Sequence, residues 1–202
     1  SCDSATRSTN DALGRKPKKR LATVGQVTRV EQLASWTHEW NAPRPREDHV
    51  RLKLNIVVTS LNVHEDPGPW LASLKPERVK LLQCSIIPGE NDDAEHLRCS
   101  ADHFASYAER VARIETSGLK VVAETSTDLL DSYAMVDPLG RFRQAHANGY
   151  VESEPIHVVG VDVAWKQVGG CNIDRFHSRG GVYEDGEPSR NAISGKKAAP
   201  PR

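Results

Sequence analysis

Residues 51–91 constrain the fold more than any other stretch. They hold two apolar runs of β-type residues, 52–60 and 78–87, with a short helical segment over residues 70–74 between them. Strand, helix, strand in that order is one βαβ unit of a parallel sheet. Strands buried on both faces read as nearly unbroken Val, Ile and Leu. These two depart from that pattern, the first with Lys53 and Asn55, the second with Arg78 and Lys80. Side chains two apart on a strand share a face. The polar groups therefore gather on one side of the unit, with Leu and Ile on the other. Two readings fit: a face that receives a polyanionic ligand such as a nucleoside triphosphate, or a sheet edge with one face in water.

The 202 residues suffice for one domain with a sizeable core. The 27 Lys and Arg balance 27 Asp and Glu. No global field therefore attracts nucleic acid or an anionic membrane. No apolar run approaches the ~20 residues of a membrane-spanning helix, and the first residues carry no signal-peptide pattern. The four cysteines, at 2, 84, 99 and 171, have no Cys-x-x-Cys or zinc spacing. Dispersed cysteines fit a reducing compartment, hence a cytoplasmic location.

Taken in order, residues 1–3 read as the end of a strand. Residues 4–20 read as a polar loop ending in a basic cluster over 13–20 that has no aromatic partners. Apolar residues at 27, 30, 33, 36, 37 and 40 have helical spacing, and Pro43 and Pro45 stop that helix. The polar turn Pro88-Gly89-Glu90-Asn91 closes the second strand, where α/β folds place ligands. Ser100 is an N-cap for a helix whose buried stripe is Phe104, Tyr107, Ala108, Val111 and Ile114. Gly118 reads as its C-cap. A strand follows over residues 119–123, then a hairpin over residues 131–143 with Tyr133 in its first strand. Residues 156–163 are a last apolar run. From Glu184 the composition is that of a disordered tail.

Little catalytic chemistry is visible by spacing alone. Eight histidines show no metal-ligand pattern, and there is no Walker loop or Gly-x-Gly-x-x-Gly. Gly169-Gly170 and Gly180-Gly181 read as turns. Glu90 and Glu124 follow strands and read as surface carboxylates. Tyr133 reads as a packed tyrosine with a satisfied hydroxyl, or as an acid or radical group.

A series of short motifs nevertheless resembles one family, in order and spacing, over residues 1–183. They are Ser1-Cys-Asp-Ser4, Gly14-Arg15, Lys53-Leu-Asn55 and Leu61-Asn-Val-His-Glu-Asp66. Pro76-Glu-Arg-Val-Lys80, Gln83 and Gly89-Glu-Asn91 follow. Asp131-Ser-Tyr133, Asp137, Arg141-Phe142 and Arg179-Gly-Gly-Val-Tyr183 complete the set. Together they resemble the later half of the viperin-like radical S-adenosylmethionine nucleotide dehydratases. The family's Cys-x-x-x-Cys-x-x-Cys cluster motif does not occur in this sequence.

The resemblance implies an α/β fold, the C-terminal part of a partial (β/α) radical-SAM barrel over residues 1–130. A viperin-type C-terminal extension covers 131–183 and the disordered tail 184–202. It implies a [4Fe-4S] cluster, with ligands outside this chain, and an electron donor that reduces it. S-adenosylmethionine is then cleaved to a 5′-deoxyadenosyl radical, which takes the 4′-hydrogen of CTP or another nucleoside triphosphate. Loss of the 3′-hydroxyl as water gives a 3′-deoxy-3′,4′-didehydro nucleotide that acts in antiviral defence. By motif, Lys53, Asn55, Arg78 and Lys80 hold the triphosphate. Ser1 and Arg15 contact S-adenosylmethionine, and Tyr133 is the catalytic residue that supplies hydrogen to the product radical. The expectation for this chain by itself is no turnover. The alternatives are a non-catalytic nucleotide-binding remnant and a truncated product.

Overall fold

The structure is a computed structural model that describes residues 1–15, 24–114, 118–179 and 182. The basic residues 16–20 and the tail 184–202 lie outside the described residues. The βαβ unit is present: β1 (Lys53–Val58), α3 (Gly68–Leu74) and β2 (Arg78–Gln83). Two helices precede it, α1 (Arg7–Ala12) and α2 (Gln26–Asn41), and α4 (Ala101–Ala112) and β3 (Lys120–Glu124) follow. The three strands form one parallel sheet in the order β1-β2-β3.

Strand alternation divides this sheet cleanly. Leu54, Ile56, Val58, Val79 and Leu81 enter the main core with Trp70, Leu71 and Leu74 of α3 and Phe104, Tyr107 and Val111 of α4. The opposite face carries Lys53, Asn55, Arg78, Lys80, Lys120 and Glu124. Both crossover helices thus cover the same face, and the polar face is left to other segments.

The local rules explain most of these elements. The hydroxyl of Ser100 accepts from the backbone N–H of His103 at 3.2 Å, the expected cap of α4. Helix α2 ends at Asn41, before the two prolines, as its sequence requires. Its buried side is narrower than the apolar spacing implies. Ala34 and Thr37 are buried, whereas Leu33, Trp36 and Trp40 are 51%, 63% and 53% exposed. Val27 and Val30 pack partly with Ala34 against the core. The contact face therefore runs 27, 30, 34, 37, and the two tryptophans stand beside it rather than on it.

Gly118 is not the cap of α4, which ends at Ala112 with Arg113 after it. Gly118 instead takes φ +82° just before β3. Residues 1–3 form no assigned strand, but Cys2 donates its backbone N–H to the Asn55 carbonyl at 3.2 Å. The segment lies along β1 as an irregular edge, with Cys2 in the core.

The hairpin region is larger than its sequence pattern indicates. The strands β4 (Met135–Val136), β5 (Arg141–His146) and β6 (Gly149–Pro155) form an antiparallel sheet in that order. Tyr133 precedes β4 and belongs to no strand. The β4–β5 turn is organised by Asp137, whose carboxylate accepts from the backbone N–H of Leu139 and Arg141 and from Arg141 Nε. A register shift in the β5–β6 pairing falls at Phe142, where Ser153 Oγ takes the N–H the ladder leaves over, at 2.9 Å.

Three short helices, α5 (Ile156–Val159), α6 (Val161–Gln167) and α7 (Ile173–Ser178), complete the described chain. Trp165 of α6 meets Phe142 edge-on at 4.9 Å. Contacts near the end of β2 tie this second sheet to the first. Arg143 pairs with Glu90, and a Cβ at Gly149 would lie 3.1 Å from the Pro88 carbonyl. That closeness, with φ +120° at Gly149, keeps the position to glycine.

Candidate functional site

Register assembles the polar face from residues far apart in sequence. Lys53 lies beside Arg78, and Arg78 beside Lys120. One pleat further along, Asn55 lies beside Lys80, and Lys80 beside Val122. The next row is Val57, Leu82 and Glu124. The structure therefore brings together all four residues that the sequence marks for a polyanion, and it adds Lys120. Neighbouring strands stand about 4.8 Å apart, a spacing at which several cations can reach one phosphate chain. Lys53 and Lys120 are exposed, while Arg78 and Lys80 are both 8% exposed.

Burying Lys80 demands an anion, and Glu124 supplies it. Its carboxylate is fully buried and ion-paired to Lys80 Nζ through Oε1. The same oxygen receives Arg179 Nη1 at 3.2 Å, and Oε2 accepts the Tyr133 hydroxyl at 3.0 Å. Arg179 is 5% exposed, stacks over the Tyr133 ring at 3.8 Å and donates to the Ser132 carbonyl at 2.7 Å. Such charge-assisted bonds are shorter and stronger than neutral ones.

The turn after β3 explains how Tyr133 comes back to Glu124. Asp128 accepts from both the N–H and the hydroxyl of Thr125, and Ser132 Oγ donates to the Asp128 carbonyl at 2.6 Å. Asp131 then takes φ +55°, a left-handed conformation that Asp tolerates better than most residues. Its carboxylate meets His146 Nδ1 at 2.6 Å and Arg175 Nη1 at 3.3 Å. Tyr133 is thus held by a turn, not by a strand.

Asn55 has the other feature of a ligand site. Its Oδ1 is buried and makes no hydrogen bond among the described residues. A buried amide oxygen without a partner costs stability, and a hydrogen-bond donor brought to this face would remove that cost.

Ser1 and Arg15 assemble beside β1. Ser1 Oγ donates to the Asn55 carbonyl at 3.1 Å. Buried Asp3 accepts from Arg15 Nε at 2.8 Å and from the Val57 N–H at 3.0 Å. The Arg15 side chain remains 42% exposed, so it can still meet a carboxylate. Two further bonds lock the N-terminal segment: Ser4 Oγ and Thr9 Oγ1 donate to the two oxygens of Glu65 at 2.5 and 2.6 Å.

Cys2, Cys84 and Cys99 do not fit an iron–sulfur cluster. Cys2 and Cys99 are buried, and their thiols donate to the carbonyls of Ser4 and Val58. Burial pushes the thiols of Cys2, Cys84 and Cys99 up, away from the thiolate form that iron requires. No group of three or more His, Cys, Asp or Glu among the described residues could hold a metal ion. No helix among them is long and apolar enough to cross a membrane.

Sequence reading missed Glu124 as a site residue and gave Arg179 no role of its own. The one available signal for Glu124 was its parity: it is two residues on from Val122 and four from Lys120, and so falls on the cationic face. For Arg179, the arginine opening Arg179-Gly-Gly marked a motif but not the carboxylate it meets.

No family model matches the chain. Curated relatives do. A protein of Flammeovirga pacifica is 34% identical over 185 residues, 91% of this chain and 58% of its own length. One from Psychrobacter lutiphocae is 32% identical over 181 residues, 89% of this chain and 55% of its own. Both are named S-adenosylmethionine-dependent nucleotide dehydratase. The Danio rerio protein named S-adenosylmethionine-dependent nucleotide dehydratase RSAD2 is 30% identical over 189 residues, 91% of this chain and 48% of its own. The chain spans about half the length of these relatives. Across most of its length the chain is therefore similar to proteins named S-adenosylmethionine-dependent nucleotide dehydratase, RSAD2 among them.

Proposed function

We propose that this chain is the nucleotide-holding part of a radical S-adenosylmethionine nucleotide dehydratase, acting on CTP or another nucleoside triphosphate in antiviral defence. Its β1-β2-β3 sheet is then a segment of a partial (β/α) barrel, with the polar face turned inward. One observation carries the reading: Lys53, Asn55, Arg78 and Lys80 occupy adjacent register positions on a single face. The names of the curated relatives support the same chemistry.

In this reading the chain's own residues bind and orient. The cations take the triphosphate through charge-assisted hydrogen bonds, and the bound phosphates fix the ribose. Arg15 and Ser1 hold S-adenosylmethionine beside residues 55–57 of β1, Arg15 at its carboxylate. Tyr133 approaches the nucleotide from the turn after β3. The reaction is loss of the 3′-hydroxyl as water after the 4′-hydrogen has been removed. Cys2, Cys84 and Cys99 do not suit the cluster, which needs three thiolates, so no step is assigned to it within this chain. That mismatch favours a second reading, a binding module without chemistry of its own.

Isothermal titration of the full chain with CTP, UTP, GTP and ATP tests the site. At least one triphosphate is expected to bind, and Lys53→Ala to weaken it about tenfold; no binding by any of the four contradicts the proposal. The chain supplied anaerobically with S-adenosylmethionine and dithionite is expected to give no 5′-deoxyadenosine. Turnover would overturn the assignment of the cluster ligands to residues outside this chain.

A further inference from the structure

We infer that Glu124 is an internal stand-in for a phosphate of the ligand, occupying the anion position between Lys80 and Arg179 until the ligand arrives. The inference rests on the nucleotide reading above and adds to it a competitor built into the site.

Two buried cations converge on one buried carboxylate: Lys80 Nζ and Arg179 Nη1 both meet Oε1 of Glu124. Two positive charges against one negative leave the cluster with an excess of one positive charge. Cations at this depth require an anion, because burial removes the water that would otherwise stabilise them. Glu124 meets that requirement.

A phosphate asks for the same donors. Glu124 lies on the face that carries Lys53, Asn55, Arg78 and Lys80, one pleat beyond Lys80 toward the strand ends. A phosphate chain laid along this face and reaching Lys80 would share that cation with the carboxylate, and two anions so close repel. Either the carboxylate withdraws or the ligand binds less tightly than the cations alone would allow. Glu124 therefore sets the affinity of the site in opposition to the ligand while stabilising the fold. Its second oxygen accepts the Tyr133 hydroxyl at 3.0 Å, so withdrawal also breaks that hydrogen bond. An ordinary structural carboxylate would not act this way, since its loss would lower stability and affinity together.

The test is titration of the full chain with CTP and, separately, with pyrophosphate, on the wild type, Glu124→Gln and Glu124→Asp, alongside thermal melts. Glu124→Gln keeps an acceptor for Tyr133 but removes the charge. It is expected to melt lower without ligand, to bind both ligands at least fivefold tighter than the wild type, and to gain more in Tm on adding them. Glu124→Asp keeps the charge, which protects folding, and draws the carboxylate back by one methylene. It is expected to tighten binding by a smaller factor, and it decides the matter if the Gln variant does not fold. Unchanged or weaker binding in whichever variant folds overturns the inference. Tightening seen with pyrophosphate, together with a wild type that prefers pyrophosphate to CTP, supports the stand-in role and counts against the nucleotide reading. No binding of either ligand by any form overturns both.

Discussion

The two faces of the β1-β2-β3 sheet are made by the same strands and differ only in parity, yet they are held by different physics. One face joins Leu54, Ile56, Val79 and Leu81 to the crossover helices through apolar contact. That contact is non-directional and accumulates with area. The other face is held by a few charged groups whose partners lie on remote segments: Lys80 on Glu124, and Glu124 on Arg179 and Tyr133. Apolar burial specifies where the strands lie. Paired charge specifies what the polar side of those strands can meet. Arg78 and Lys80 sit on that second face at 8% exposure each.

Leu81→Ala cuts into the fully buried apolar face and should cost the most, about 3 kcal/mol, the middle of the usual range for emptying such a site. Urea unfolding would measure it. The comparison holds if nucleotide affinity per folded molecule stays unchanged, and breaks if affinity falls in step with stability. Lys80→Met should cost less, about 2 kcal/mol, since Arg179 still neutralises Glu124 and one charged hydrogen bond is lost. Its effect on nucleotide affinity should exceed that of Leu81→Ala. The reverse ranking would mean that Lys80 serves the fold alone.

The smallest effect concerns acid. The Asp137 carboxyl is held below its ordinary 3.8, first by the Arg141 backbone N–H and further by the Arg141 side chain and the Leu139 N–H. A lowered carboxyl favours the folded form at neutral pH, and that contribution disappears as pH falls below 3.8 and through the folded-state value. Asp137→Asn should therefore narrow the gap in stability between pH 7 and pH 3. An unchanged acid profile would show that the β4–β5 turn does not depend on this charge.

The sequence made the local features legible. The βαβ order, the Ser100 cap and the polar parity of Lys53, Asn55, Arg78 and Lys80 depend on neighbours within a few residues, and each appears in the structure. What it concealed depends on distant partners. Glu124 reads as a surface carboxylate because nothing nearby announces that Lys80 and Arg179 will enclose it. Tyr133 reads as a strand residue because the turn that carries it is built from Thr125, Asp128 and Asp131 rather than from proline or glycine. The exposure of Trp36 and Trp40 was hidden for a related reason: helical spacing marks an apolar side but not how wide a contact the rest of the chain will make.

The most direct test of the central claim is NMR mapping of CTP on the full chain, with amide and side-chain signals assigned across β1, β2 and β3. A nucleotide on the polar face predicts shifts at Lys53, Asn55, Arg78, Lys80, Glu124 and Tyr133, and little change at Trp36 or Trp40 on α2. Shifts gathered on α2, or none on the polar face at millimolar CTP, would contradict the account.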